Sequence, residues 1–205
     1  MKLYKTVAKE ATAEQIIEKS RFITYVKPVS TKEEADEFIA AIKKKHKDAT
    51  HNVPAMVLGE KFQVQWASDD GEPQGTSGAP IVQMLVQEGI TNVVIVVTRY
   101  FGGIKLGTGG LVRAYTGSAK LGLEAAGIYE VTEKKVLTYR LDYGIFNKLS
   151  NFTFEQDVFI ENVEYTDVVK FNLVVEPEAA EEVKYLVRGI ANGREILENE
   201  RLKKS

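Results

Sequence analysis

The run from Asn92 to Thr98 constrains the fold most, because every residue from Val93 onward is β-branched. A run that does not alternate between apolar and polar residues predicts a strand buried on both faces of a sheet. The wholly apolar part, Val93 to Val97, is far shorter than the ~20 residues of a membrane-spanning helix. The chain then enters a glycine-rich loop and a helix that we expect to end near Gly127. A mixed α/β core is therefore expected.

Elements upstream of this strand follow from local patterns. Ser30 and Thr31 precede Glu33 and Glu34 at the spacing of a capping box, which predicts a helix over 32–47. Before it, residues 1–28 are predicted to be extended. After it, the pattern predicts strands over 55–58 and 62–68, a turn-rich segment over 69–77 and a helix over 80–87 with a proline in its first turn.

From about Val131 the predicted elements follow the order β-α-β-β-α-β, which is the split-βαβ arrangement. The expected ranges are strand 131–141, helix 145–154, strands 158–163 and 168–175, a helix opened by Pro177, and a last strand from Arg194. We predict an α+β protein with two domains, residues 1–130 and 131–205.

Glycine and charge are unevenly distributed around the central strand. Twelve of the 16 glycines fall between Gly71 and Gly127, and residues 89–123 contain no Asp or Glu, although an even spread of the 29 acids would place about five there. The same stretch carries Arg99, Lys105, Arg113 and Lys120. Since the whole chain has a net charge of −2, any anion-binding site must be local.

A phosphate is the ligand that this segment favours. Glycines let backbone N–H groups approach a ligand closely, and a helix N-terminus adds unpaired donors with partial positive charge. The spacing matches neither the P-loop nor the dinucleotide-binding fingerprint. The predicted phosphate-binding residues are Arg99, Lys105, Thr108, Gly109, Gly110, Arg113 and, from another segment, His51. The alternative, that the glycines only allow the helix to pack closely on the sheet, stays open.

A second candidate site is the acidic turn, which we define as Ser68 to Gly78. Its carboxylates, Asp69, Asp70 and Glu72, are the type of ligand that a magnesium ion prefers. An ordinary solvated turn explains the same residues, since Asp-Gly and Glu-Pro are common turn dipeptides. The chain has no cysteine and two histidines, which excludes disulfides and thiolate sites, and no resident metal is predicted. His46 lies on the apolar stripe of its predicted helix, so we expect it to pack in the core.

Taken together, these segments resemble the IMPACT family, specifically its bacterial two-domain branch, often called the YigZ type. The resemblance rests on Lys19-Ser20-Arg21-Phe22, on Ala49 to Asn52, on the acidic turn, and above all on the string from Val97 to Tyr115. The departure is Val53-Pro54, where the family is expected to have a cysteine and an aromatic residue. No role for a thiol therefore transfers to this chain.

The resemblance implies a first domain with the two-layer α/β fold of the ribosomal-protein domain 2-like type. It also implies a ferredoxin-like second domain similar to the C-terminal domain of elongation factor G. Eukaryotic relatives act as translational regulators through a partner protein, whereas the family supplies no settled reaction for the bacterial branch, and fold alone does not confer one.

Two functions are compatible with these features. One is a cytoplasmic, translation-associated binding protein, without catalysis, that contacts the ribosome, RNA or a regulatory protein through the cationic glycine-rich loop. The other is an enzyme that acts on a small phosphorylated metabolite, with magnesium held by Asp69 and Asp70. No membrane association is expected, because an export pattern is absent from the N-terminus. The sequence leaves the oligomeric state open.

Overall fold

The computed structural model describes residues 2–204, which form two compact units. The first unit spans residues 4–130, and the second comprises residues 131–204 with residues 2 and 3. The first part of the chain contains β1 Lys2–Val7, β2 Ala11–Ile17, β3 Ser20–Pro28, α1 Lys32–Lys45, β4 His51–Leu58, β5 Val64–Ala67, α2 Gly78–Glu88, β6 Val93–Tyr100 and α3 Gly107–Ala126. Within the described residues, no helix combines the length and the apolar character needed to cross a membrane.

The first unit is built on a five-stranded antiparallel sheet in the order β2-β3-β6-β4-β5. Strand β6 lies at its centre, and every residue from Val93 to Arg99 is buried, as the run of β-branched residues predicts. The register places Arg99, at the end of β6, opposite Phe22 of β3 and His51 of β4. These three strands therefore bring distant segments together where Arg99, Phe22 and His51 lie side by side, at one end of the central strands.

Helices cover both faces of this sheet. One face, which includes Phe22 and Ile95, packs against α2 and α3, whereas the face that includes Tyr25 and Met56 packs against α1. The resemblance implies two layers for this domain, and α1 on the second face of the sheet adds a third layer. The physical reason is that alternate residues of β6 point to opposite faces and all but its last few are apolar, so both faces have to be shielded from water.

Helix α1 begins as its sequence predicts. The Thr31 side chain accepts a hydrogen bond from the Glu34 amide at 3.2 Å, and the Glu34 carboxylate accepts one from the Ser30 amide at 2.7 Å. At the other end, His46 is buried and bonds the hydroxyls of Tyr25 and Tyr100 at 2.6 and 2.8 Å. Burial lowers the pKa of His46, so its neutral ring acts as a structural link between α1 and the sheet.

The second unit contains β7 Ile128–Leu141 from Val131 onward, α4 Tyr143–Ser150, β8 Phe159–Tyr165, β9 Val169–Val175, a 3₁₀ turn Pro177–Ala179, α5 Ala180–Ala191 and β10 Ile196–Lys204. Its sheet has the order β10-β7-β9-β8, with β1 also beside β7. Helices α4 and α5 pack on one face of this sheet around Leu137, Phe171 and Val183. This β-α-β-β-α-β order and strand arrangement are those of a ferredoxin-like domain, and the α+β, two-domain prediction is confirmed.

Candidate functional site

The glycine-rich loop, which we define as residues 101–106, connects the central strand β6 to helix α3. A Cβ at Gly102 would lie 2.1 Å from the backbone carbonyl of Lys19, so the loop packs directly on the turn between β2 and β3. The Gly102 amide donates to Ser20 Oγ at 3.2 Å, and the Phe101 amide donates to Thr50 Oγ1 at 3.0 Å. These contacts fix the first half of the loop against the starts of strands β3 and β4.

Helix α3 begins at Gly107, and no side chain caps its N-terminus. The N-cap residue is Leu106, which has no acceptor in its side chain, and the first turn carries no acidic residue. The first backbone N–H groups of a helix have no partner within the helix, and they carry the positive end of its dipole. Thr108 lies inside the first turn rather than at the cap position, so its hydroxyl does not satisfy these donors as a cap would.

A cleft of about 420 Å³ opens between the start of this helix and the ends of strands β4 and β6. Its lining combines polar side chains with an apolar wall. The lining residues are Thr50, His51, Glu72, Pro73, Arg99, Phe101, Lys105, Leu106, Gly107, Thr108 and Leu111. Its volume lies within the range of small-molecule sites. The cleft therefore brings together five of the predicted residues: His51, Glu72, Arg99, Lys105 and Thr108.

A buried ionic network forms the floor of the cleft. Arg99 donates to Glu72 Oε1 at 2.6 Å, and the Tyr115 hydroxyl donates to the same oxygen at 2.6 Å. Arg99 also donates to Ser20 Oγ at 3.3 Å. Burial and the hydrogen bond to Glu72 raise the pKa of Tyr115 far above its usual value, so the phenol keeps its proton and remains a donor.

Arg99 is one of the predicted phosphate-binding residues, and in the structure its side chain is buried and paired. It is 4% exposed, and Glu72 already balances its charge. Its guanidinium lies 5.4 Å from the ring centres of both Phe22 and Phe101. Its Nε atom is buried and has no hydrogen-bond acceptor among the described residues. Arg99 therefore lines the cleft as part of an internal ion pair.

His51 lies beside this network at the start of β4. Its Nδ1 is 2.9 Å from the carbonyl oxygen of Asp70, and its Nε2 is 3.6 Å from Glu72 Oε1. A carbonyl oxygen only accepts hydrogen bonds, so Nδ1 carries a proton in this contact. The other ring nitrogen faces Glu72 within the cleft lining.

The carboxylate of Asp69 stabilises the acidic turn and the start of α2. Asp69 Oδ1 accepts from the amides of Ser77 and Gly78 and from the Ser77 hydroxyl, and Oδ2 accepts from the Gly75 amide. Burial opposes ionisation, but these hydrogen bonds outweigh it and lower the pKa of Asp69. Asp69 thus supplies the cap that Ser77, the N-cap residue of α2, does not provide with its own side chain.

Asp70 is also fully engaged within the protein. Its Oδ1 accepts from Lys43 Nζ at 2.6 Å, and its Oδ2 accepts from the Asn52 amide at 2.7 Å. Glu72 is directed into the ion pair with Arg99. Across residues 2–204, no group of three or more His, Asp or Glu side chains is placed to hold a metal ion. The three acids therefore have structural partners, and the magnesium interpretation of this turn finds no support in their contacts.

The remaining predicted residues lie next to the cleft. Gly110 and Arg113 line a neighbouring depression together with Glu18 and Ile104, and Lys105 lines both spaces. Gly109 lies on the same first turn of α3, where a Cβ would have Arg113 Nη1 as its nearest neighbour at 3.6 Å. Lys105 is thus the cation shared by the two openings.

Sequence analysis missed the residues that complete the network, Tyr115 and Ser20. Tyr115 lies on the apolar stripe of α3 and has no pattern that separates it from an ordinary core residue. Arg99 did carry a signal, because an arginine at the end of a strand buried on both faces needs a buried partner. That partner, Glu72, is one of the three acids in the turn after β5, and β5 pairs with β4, the neighbour of β6 in the sheet.

The segment that builds this site matches a known family. The family model described as the Impact N-terminal domain matches residues 18–123, which include every predicted site residue. The chain belongs to the IMPACT family. A second model, described as a domain of unknown function (DUF1949), matches residues 140–194 in the ferredoxin-like unit.

Individual relatives support the same assignment. IMPACT family member YvyE of Bacillus subtilis is 41% identical over 191 residues, covering 93% of this chain and 88% of its own length. IMPACT family member YigZ of Escherichia coli is 38% identical over 138 residues, covering 66% of this chain and 68% of its own. A crystal structure described as that of a hypothetical protein has a TM-score of 0.59 at 31% identity, covering 96% of this chain and 97% of that one.

Proposed function

We propose that this IMPACT family protein is a translation-associated binding module that contacts RNA phosphates through Lys105 and the first turn of α3. The observation that carries the proposal is the combination of an uncapped helix N-terminus with a loop that lacks acidic residues. Backbone donors and a helix dipole favour a phosphate group at such a position.

The charges around α3 support the same proposal. Within the described part of the chain, Lys120 pairs with Glu88, whereas Lys105 and Arg113 have no carboxylate partner. An unpaired cation gains more from a phosphate than one already neutralised by an acid. Because the net charge of the chain is −2, this local arrangement has to supply the attraction.

RNA is favoured as the phosphate-bearing partner for two reasons. The chain resembles translational regulators, and the exposed ring of Phe101 lines the same cleft as Lys105 and Thr108. Aromatic rings at such positions stack on unpaired bases. No feature of the acidic turn favours a metal-dependent enzyme, since its carboxylates are occupied.

The test is binding of single-stranded RNA, measured by fluorescence anisotropy at salt concentrations between about 50 and 200 mM. We expect Lys105→Ala to weaken binding and to reduce the slope of log affinity against log salt by about 0.7, the contribution of one phosphate contact to a single strand. Co-sedimentation with ribosomes under the same conditions tests the translational partner.

Lys120→Ala is the matched control, because it removes the same charge from a position farther along α3 that is already paired with Glu88. It should leave the salt slope unchanged. Absence of RNA binding at the lowest salt, or binding that is indifferent to Lys105→Ala combined with Arg113→Ala, would contradict the proposal.

A further inference from the structure

Two openings flank the start of helix α3, and Lys105 borders both of them. The cleft of about 420 Å³ lies on the side of Thr108 and Leu111. The neighbouring depression of about 460 Å³ lies on the side of Gly110 and Arg113. Residues three apart share one side of a helix, so these two pairs mark adjacent sides of the same turns. A chain-like ligand can therefore contact both openings by crossing the start of α3 at Lys105.

The guanidinium of Arg113 turns back toward the first turn of α3. Its Nη1 atom lies 3.6 Å from the position that a Cβ would have at Gly109. Long side chains in a helix normally point toward the N-terminus in this way. Among residues 2–204, neither Arg113 nor Lys105 forms an ion pair with a carboxylate. Both cations thus lie beside the positive end of the helix dipole, an arrangement that a bound anion would stabilise.

A phosphate group fits the Arg113 side of the helix, because the planar fork of a guanidinium matches two phosphate oxygens. We propose that a single RNA strand crosses the start of α3, with one phosphate in the cleft beside Thr108 and the next in the depression beside Arg113. Lys105 lies between the two phosphates. This inference rests on the proposed function, because it adds a second phosphate to the one that Lys105 and the first turn of α3 bind.

The spacing of the two openings favours a strand over a small molecule with two phosphates. In a nucleoside diphosphate the phosphates share one bridging oxygen, whereas a strand separates them by a whole sugar. Openings on adjacent sides of a helix, which is about 10–12 Å across with its side chains, suit the longer separation. Each opening also has an exposed apolar side chain for a base, Phe101 in the cleft and Ile104 in the depression.

Glu18 is the acid that borders the depression. It lies in the turn between β2 and β3, and within residues 2–204 it forms no ion pair with a basic side chain. Its charge opposes a phosphate beside Arg113, although the two cations outnumber it. Removing this charge should therefore strengthen the binding of a strand that reaches the depression, and it should not affect a ligand confined to the cleft.

The test is competition with a labelled RNA strand, measured by anisotropy with the full chain at about 50 mM salt. The competitors are uridylate strands of one, two or four nucleotides, each with a 5′-phosphate, and uridine 5′-diphosphate. We expect the second nucleotide to raise the affinity roughly tenfold, the value of one charged hydrogen-bonded contact, and later nucleotides to add less. Uridine 5′-diphosphate should bind like the single nucleotide. If it binds as tightly as the two-nucleotide strand, the inference is overturned.

Three variants assign the two phosphates. Arg113→Met removes the charge and keeps most of the aliphatic stem, so it should abolish the gain from the second nucleotide and leave the single nucleotide unaffected. It should also reduce the salt slope of the four-nucleotide strand by about 0.7. Glu18→Gln should strengthen the two longer strands roughly twofold, the effect of one exposed charge. Lys105→Ala should weaken every competitor.

Lys120→Ala again serves as the control and should change none of these affinities. If Arg113→Met and Glu18→Gln leave the strands unchanged while Lys105→Ala weakens them, the second phosphate position is overturned and the proposed function stands. If no strand binds at the lowest salt, both are overturned. The length series and Glu18→Gln keep Arg113 in place, so they decide the question even if Arg113→Met fails to fold.

Discussion

In the sequence, the acidic turn and the glycine-rich loop are both candidates for a ligand site. In the structure, they differ in whether their polar groups already have partners within the protein. In the acidic turn, the Asp69 and Asp70 carboxylates accept hydrogen bonds from the turn itself, from α2 and from neighbouring segments. In the loop and the first turn of α3, the helix donors lack a capping side chain, and the surrounding sequence supplies no acid. A cluster of charged residues thus indicates a binding site only when the folded protein does not already pair those charges internally.

Glu72 and Arg99 connect the two regions, and separating them should have the largest effect. Arg99→Ala leaves the Glu72 carboxylate buried without its counterion, so we expect the free energy of unfolding to fall by about 3–5 kcal/mol. Urea denaturation measures the loss. Replacing both residues, as Glu72→Leu with Arg99→Met, should restore much of it, since a buried ion pair is often exchangeable for apolar packing. Unchanged stability in Arg99→Ala would show that the pair does not join the two regions.

Asp69 tests whether the acidic turn is a structural element. Asp69→Asn removes the charge from several hydrogen bonds, and at neutral pH we expect a loss of about 2 kcal/mol in the free energy of unfolding. The pKa of Asp69 is lowered in the folded protein, so its contribution is complete above the unfolded value and disappears as the pH falls through the folded one.

The stability difference between wild type and Asp69→Asn should therefore shrink as the pH is lowered below about 4, where the unfolded carboxyl begins to protonate. Denaturant titrations at several pH values measure it. Magnesium added to either protein should not shift the unfolding midpoint. If magnesium raises the unfolding midpoint of wild type but not of Asp69→Asn, the acidic turn binds an ion, and it no longer differs from the loop as a candidate site.

The smallest expected change in stability is that of Gly109→Ala, which tests whether the first turn of α3 beside the glycine-rich loop serves binding. A Cβ at this helical position meets nothing closer than 3.6 Å, so Gly109→Ala should raise the free energy of unfolding, by at most about 1 kcal/mol. It should also weaken RNA binding, because the methyl group narrows access to the amides. Thermal unfolding and anisotropy measure the two effects.

Gly117→Ala is the matched substitution, since it lies in the same helix with similar space around it. It should give the same gain in stability and leave RNA binding unchanged. If Gly109→Ala instead lowers stability with no effect on binding, the glycines serve packing alone, and the loop resembles the acidic turn after all.

The sequence predicted local structure well where one short-range interaction decides it. The capping box at Thr31 and Glu34 and the strand β6, buried on both faces, appear as expected. Pro80 lies in the first turn of α2, as its missing amide requires. Strand pairing was not accessible from one sequence, because the hydrogen bonds between β4 and β6 join segments that a strand and a helix separate along the chain.

The site could be predicted only in part for the same reason. The scarcity of acids around Lys105 is a pattern in the chain itself, so it was visible. The partners of Asp69, Asp70 and Arg99 depend on which segments the sheet brings side by side. Because residues such as Tyr115 differ from core residues only by one hydroxyl, their role in the network appears only with the fold.

The close packing of Gly102 on the backbone of Lys19 divides the wall of the cleft into a fixed part and an adjustable part. Gly103 and Gly107 have positive φ values and no neighbour near the position of a Cβ, so these two residues are not held by the close packing that fixes Gly102. Any adjustment to an incoming molecule is thus confined to the short stretch between Gly103 and Leu106, since Leu106 itself packs against the core. A spectroscopic probe attached at Ile104 would move with this short flap, whereas one attached at Thr50 would stay with the frame.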